Sequence, residues 1–201
     1  MKKMFLSLSV LFFLSFTAIT AKLTKEEREY GVKELTKSQA LVMDAVDGLS
    51  EEQLDYKVTD SSWSIAEVTE HIAISENMIF TMLQEVLKKP ADSSKPATAM
   101  LSDDKVIEMM KDRSYKVKTQ KPFEPSGQFE SFEETLKEFN DKRDAHIEYI
   151  KTTDDDLRNR FQEMPFGTID AFQILLFMSG HTERHVEQMQ EVMNDSDFPM
   201  E

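Results

Sequence analysis

Ile174-Leu175-Leu176-Phe177-Met178-Ser179-Gly180-His181-Thr182-Glu183-Arg184-His185 is the stretch on which the reading of this chain turns. It belongs to a final long helix, expected to be capped by Thr168 and to run to about Met193. Residues four apart on an α-helix lie one above the other, roughly 6 Å apart. His181 and His185 therefore share a face and can hold one metal ion between them. At about 100° per residue they fall on a stripe with Ile174, Phe177, Met178, Gln188 and Val192, so the pair points into the protein. Glu183 falls on the opposite side, a poor place for a ligand or base. The order is not that of the zincins, which needs Glu directly after the first His. A third ligand must come from elsewhere, and only His71 and His146 remain.

Outward from that helix, the chain reads as further helices. Lys25 to Val46 carries apolar residues near helical spacing, with Gly48 as a stop signal. Ser50-Glu51-Glu52-Gln53-Leu54 reads as a short capped turn. Ser64-Ile65-Ala66-Glu67 is a capping box, Ser at the N-cap and Glu at the third helical position, opening a helix to about Lys88. Ile65, Val68, Ile72, Ile79, Leu83 and Val86 form its apolar stripe, and His71 lies on the flank. Ala91 to Ser102 reads as a loop, Asp103 to about Tyr115 as a shorter helix, and Ser131-Phe132-Glu133-Glu134 as a second capping box starting a helix to about Lys151. Met164-Pro165-Phe166-Gly167 breaks the chain. Nothing alternates with period two for long enough to predict a strand. Four long amphipathic helices with short pieces make an all-α four-helix bundle the expected architecture.

The bulk numbers narrow the class. A length of 201 residues suits one ordinary domain. A net charge of −14, with no basic patch, argues against nucleic acid as a partner and against anionic lipid. With 31% charged and 40% hydrophobic residues the chain reads as globular. The absence of Cys excludes disulfides, thiolate ligands, a cysteine nucleophile and a lipid anchor on Cys. Residues 1–21 read as a cleavable signal peptide: Met1-Lys2-Lys3 is a positive start, Phe5 to Phe16 a short apolar run, and Ala21 the simplest cleavage position. That run is too short for a comfortable membrane span; the alternative is an uncleaved anchor. A single mature domain, residues 22–201, is thus expected to be exported, to a bacterial periplasm or beyond.

Three neutral imidazoles, from His71, His181 and His185, on one divalent ion would leave positions open to water, the pattern of catalytic rather than structural sites. An ion so held acidifies water to a usable nucleophile or lets substrate displace it. Other readings stand beside this one. Histidine pairs four apart also occur on helices without metal, and a lone His at the edge of an apolar face is usually a packed polar residue. Spacing alone leaves both open. Burying two histidines on an apolar face without partners is costly, which favours the metal. Gln188, one turn past His185, could hydrogen-bond a ligand or its water, or close a polar gap in the core. His146 reads as a core or supporting residue, Trp63 as a packing anchor rather than a substrate platform. Gly180 makes room either for a metal or for close helix packing.

Trp63-Ser64-Ile65-Ala66-Glu67-Val68-Thr69-Glu70-His71-Ile72-Ala73 resembles the second-helix signature of the DinB-like (YfiT-like) four-helix-bundle family. His181-Thr182-Glu183-Arg184-His185-Val186-Glu187-Gln188 resembles that family's last-helix signature. Leu49-Ser50-Glu51-Glu52-Gln53-Leu54 and Pro125-Ser126-Gly127-Gln128-Phe129-Glu130-Ser131 resemble its first crossing and the approach to its third helix. The resemblance covers nearly all of the mature chain in order. It implies a metal-dependent enzyme domain with a three-histidine site, matched at His71, His181 and His185, and a homodimer. Relatives include transferases and isomerases that use low-molecular-weight thiols such as bacillithiol or mycothiol; many others have no assigned reaction. Such thiols are cytosolic, so the export signal sets this chain apart. The expected function is metal-assisted hydrolysis or group transfer on a small-molecule substrate, in a pocket between helices. The alternative is a non-catalytic exported bundle that binds metal or a small ligand. Imidazole ligands suit Zn, Ni or Fe without deciding among them.

Overall fold

Polar side chains cap the start of every α-helix among the described residues. The structure, a computed structural model, describes residues 22–94, 101–114 and 118–200. The side chains of Thr24, Ser50, Ser64 and Asp170 each accept a hydrogen bond from the third helical N–H, and each of these residues donates its own backbone N–H to that third residue's side chain. These reciprocal bonds satisfy N–H groups that a helix start leaves orphaned. Ser102 and Ser131 provide only the forward half. The resulting order is α1 (Lys25–Val46), α2 (Glu51–Asp55), α3 (Ile65–Leu87), α4 (Asp103–Lys111), α5 (Phe132–Thr152), β1 (Phe161–Met164), β2 (Gly167–Asp170) and α6 (Ala171–Met193).

The long helices α1, α3, α5 and α6 form the bundle, with sides α1/α6, α6/α3, α3/α5 and α5/α1. Contacts along these sides give the directions. Gly31 lies against Phe172, Ser179 donates to the Glu34 carbonyl and Lys37 meets Glu183, so α1 and α6 run parallel. Glu76 meets Arg143 and Phe80 meets Tyr149, so α3 and α5 are parallel too. Arg28 reaches the carbonyls of Ile150 and Thr153, which sets α5 antiparallel to α1. Parallel neighbours require long connections. The one between α3 and α5 carries α4, which packs on the outer side of α6. There Gly180 lets the helices close: a Cβ on it would sit 2.9 Å from Met110 Cβ and 3.0 Å from the Ile107 carbonyl.

The core has two apolar halves. One gathers Leu35, Ile79, Leu83, Ile150, Phe172 and Leu175, the other Val42, Ile65, Val68, Ile72, Phe139 and Met189. Between them lies a polar layer built on Arg143, whose side chain is fully buried. Its guanidinium donates to both carboxylate oxygens of Glu76 (2.8 and 2.7 Å), to Thr182 Oγ1 (2.9 Å), to Ser38 Oγ (2.5 Å) and to the Leu35 carbonyl (3.0 Å). Burial pushes the Glu76 carboxyl upward, but Arg143 and then His146 outweigh it and hold it below its usual range.

The helical bundle matches the expectation, and the corrections concern its edges. A short hairpin is present although no strand is predicted: Met164 pairs with Gly167 across Pro165-Phe166, and Phe161 with Asp170. Its strands are four residues long, too short to display an alternation. Thr168 lies in β2, and Asp170 caps α6 because Gln173 sits where a capping box needs it. The short helix ends at Lys111 rather than near Tyr115; Tyr115 itself falls outside the described residues. So does the signal-peptide reading, which rests on residues 1–21. No helix among the described residues is long and apolar enough to cross a membrane.

Replacing Arg143 with Met removes one partner of a buried ion pair and strands Glu76 in the core. Urea denaturation should show a loss of about 3–5 kcal/mol.

Candidate metal centre

His71 stands on α3 where its flank faces α6, and His181 and His185 occupy successive turns of α6 directly opposite. Their Nε2 atoms converge. His71 Nε2 lies 3.0 Å from His185 Nε2 and 3.3 Å from His181 Nε2. One ligand atom from each of the three histidines lies within 4.8 Å of the others, so the group could hold a metal ion. A tetrahedral ion about 2.0–2.1 Å from each nitrogen separates two of them by roughly 3.3 Å, and a facial octahedral one by roughly 3.0 Å. The observed separations match both arrangements. His71 and His185 are buried and His181 is half-buried.

The far sides of the His71 and His185 rings explain why their near sides are bare. His71 Nδ1 lies 2.7 Å from the Phe123 carbonyl. A carbonyl only accepts, so Nδ1 carries the proton and Nε2 of the neutral ring is a lone pair. Gln188 turns its amide oxygen to His185 Nδ1 at 2.9 Å, with the same result. Two lone pairs thus face each other at 3.0 Å, an arrangement that repels unless a cation lies between them. A proton is a poor candidate. Burial lowers His71; burial, then His185 and His71, hold His181 well below its usual value; burial, then His71, push His185 down to about 3. Neutral imidazoles are the form a metal requires.

Glu70, the residue before His71, secures the connection above the site. Its carboxylate accepts the backbone N–H groups of Ser126, Gly127 and Gln128 at 3.0, 3.1 and 3.0 Å. Gly127 supplies the positive φ of 68° in that turn. The same connection carries the Phe123 carbonyl, so adjacent residues of α3 grip it at two points. Trp63 packs on His71 with ring centroids 5.0 Å apart, and Phe177 stacks on His181 at 6.2 Å.

The remaining candidates resolve individually. His146 is not brought to the triad; it stacks on Phe80 at 3.9 Å and bonds Glu76 Oε1 through Nδ1 at 2.8 Å. Glu183 points away from the triad, as its place on the helix predicts, but it is buried between Lys37 and Lys111 rather than solvated. Gly180 serves the α4 contact. Sequence reading passed over Glu70, Glu76 and Arg143. Glu76 carried a usable signal, a charge within the apolar stripe of Ile72, Ile79 and Leu83. The Phe123 carbonyl carried none, because any residue has one. Two cavities, of about 500 Å³ beside Glu67, Glu70 and Phe132 and about 360 Å³ beside Phe80 and His146, are not lined by the triad.

Fold and site together define a class: a four-helix bundle with a three-histidine cluster where two of its helices meet. Sequence comparison agrees. The model of the DinB superfamily matches residues 34–189, and the chain belongs to that superfamily. YuaE of Bacillus subtilis (strain 168), itself uncharacterised, is 28% identical over 146 residues, which cover 72% of this chain and 86% of that protein. Among solved structures, YfiT from Bacillus subtilis is reported as "a probable metal-dependent hydrolase with an unusual four-helix bundle topology". It superimposes with a TM-score of 0.55 at 18% identity, covering 86% of this chain and 89% of that one. At that identity the likeness shows the shared fold.

The lowered histidines make stability depend on pH in the metal-free protein. The unfolded chain protonates them near 6.5, whereas folded His185 resists to about 3. Between these values the unfolded state binds more protons, so stability falls as pH drops through 6.5. Thermal unfolding should give a lower Tm at pH 5.5 than at 7.5, with a smaller difference in a His185→Gln variant.

Proposed function

We propose that this protein is a divalent-metal-dependent enzyme of the DinB superfamily, catalysing hydrolysis or group transfer, with His71, His181 and His185 as its metal ligands. The observation that carries this reading is the convergence of three Nε2 atoms in which His71 and His185, 3.0 Å apart, each present a lone pair because the opposite ring nitrogen is protonated. Membership of the superfamily and the structural likeness to YfiT, reported as a probable metal-dependent hydrolase, point the same way. A divalent ion held there by His71, His181 and His185 would supply Lewis-acid chemistry. The chain's own residues do the rest. The Phe123 carbonyl and Gln188 fix two rings with Nε2 inward, Glu70 holds the connection that bears Phe123, and Trp63 and Phe177 wall the rings with apolar surface. With three protein ligands, further positions remain for water or substrate. Zn, Ni and Fe all accept such a donor set. Read as a cleavable signal peptide, residues 1–21 would carry this chemistry out of the cytoplasm, to the periplasm or beyond.

A second reading, an exported bundle that binds metal or a small ligand without turnover, is favoured by one observation. The converging ligand group is histidine alone, with no carboxylate within it to act as a general base.

Elemental analysis of protein purified without chelator or a histidine tag should give close to one metal per chain. His71→Ala, His181→Ala and His185→Ala should each lose most of it, together with any activity in a hydrolase and transferase screen run with several metals. Stoichiometric metal retained in those variants would sink the assignment; full metal in the parent without turnover on any substrate class moves the binding reading ahead.

A further inference from the structure

One buried side-chain atom among the described residues lacks any hydrogen-bond partner: the hydroxyl oxygen of Ser75, a residue only 1% exposed. A helical hydroxyl with nothing better to do turns back to the carbonyl four residues earlier. Thr69, Thr81 and Thr182 all do so in this protein. Ser75 does not, and burying an unsatisfied hydroxyl is destabilising. An orphan of this kind calls for a missing partner.

The position of Ser75 says where that partner lies. It follows His71 by four residues, so the two side chains share a face of α3 one turn apart. Its neighbour Glu76 and His181's neighbour Thr182 are held by the same nitrogen of Arg143, at 2.7 and 2.9 Å. Ser75 and His181 therefore flank one layer of the bundle. Moving from His71 towards Ser75 on α3 corresponds to moving from His185 towards His181 on the antiparallel α6. Ser75 therefore lies on the face of α3 that bears His71, at the level of His181 on α6.

We propose that Ser75 Oγ is the protein's hydrogen-bond contact for the small oxygen ligand, water or an anionic substrate oxygen, that shares the three-histidine site with the ion. The proposal rests on the metal reading above and deepens it. A hydroxyl donates and accepts, so it can serve water and an anionic oxygen in turn, where a carboxylate would repel the anion. The ligand class that follows is a small oxyanion, such as a carboxylate.

The test uses Co(II)-loaded protein and acetate as probe, followed through the visible absorption of the ion. Ser75→Ala should keep full Co(II) and bind acetate about 3- to 10-fold more weakly, the effect of one hydrogen bond. Ser75→Thr, which keeps the hydroxyl, should recover the affinity. In metal-free protein, Ser75→Ala should raise Tm by a few degrees, because the orphaned group is gone. Unchanged acetate binding at full Co(II) overturns the proposal and leaves the metal site standing. Loss of Co(II) from Ser75→Ala overturns it too, since Ser75 would then support the ligands themselves. So does a lower Tm in the metal-free variant, which would mean the hydroxyl has a partner within the protein. A parent protein that takes up no Co(II) overturns the metal reading and this inference with it.

Discussion

Arg143 donates five hydrogen bonds, one for each N–H of its guanidinium, and they reach three other helices. The acceptors lie on α1 (Leu35 and Ser38), α3 (Glu76) and α6 (Thr182), while Arg143 itself stands on α5. All four long helices are therefore fixed to one rigid, planar group. A guanidinium stays charged and offers its donors in a fixed fork, so the helices cannot rotate or slide independently without stranding a buried charge. Apolar packing above and below is more forgiving, because hydrophobic contacts tolerate small shifts. The polar layer thus sets the register that the two apolar halves of the core then fill.

The candidate metal centre inherits that register. Thr182 is the residue between the triad's two α6 histidines and the Arg143 layer, and Glu76 lies five residues beyond His71 on α3. Clamping Thr182 and Glu76 to one guanidinium fixes the rotation of α6 and α3 about their axes. His71, His181 and His185 then meet with nitrogens 3.0–3.3 Å apart where His71 faces the other two. The orientation of the His71 ring is set separately, from outside the bundle. Glu70 pins residues 126–128, and the same connection, three residues earlier, presents the Phe123 carbonyl to His71. One structural layer brings the side chains together, and another points the correct nitrogen inward. The geometry brings together the same three residues that the sequence resemblance implies.

Helix periodicity and caps were legible because they are local. Ser64 with Glu67, Ser50 with Gln53 and the apolar stripe of Ile65, Val68, Ile72 and Ile79 need only the neighbouring residues to declare themselves. So does the inward face shared by His181 and His185. The sequence by itself determined a helical bundle, the pair on its last helix, and, through family resemblance, His71 as the third member. It could not distinguish Thr168 from Asp170 as the cap of α6 without weighing Gln173, nor announce a hairpin with strands of four residues.

Only the tertiary structure decided the rest, and the reason is that its interactions join residues far apart in the chain. Glu76 and Arg143 are 67 positions apart, His71 and the Phe123 carbonyl 52. A charge in an apolar stripe signals that some partner exists but not which one. A backbone carbonyl carries no sequence signal at all. Whether Gly180 faced a metal or a helix, whether Glu183 was solvated, and whether the buried Ser75 hydroxyl was satisfied were equally matters of what the fold placed opposite them. Local chemistry wrote the helices; long-range contacts, fixed around a buried guanidinium, made three of their histidines into one site.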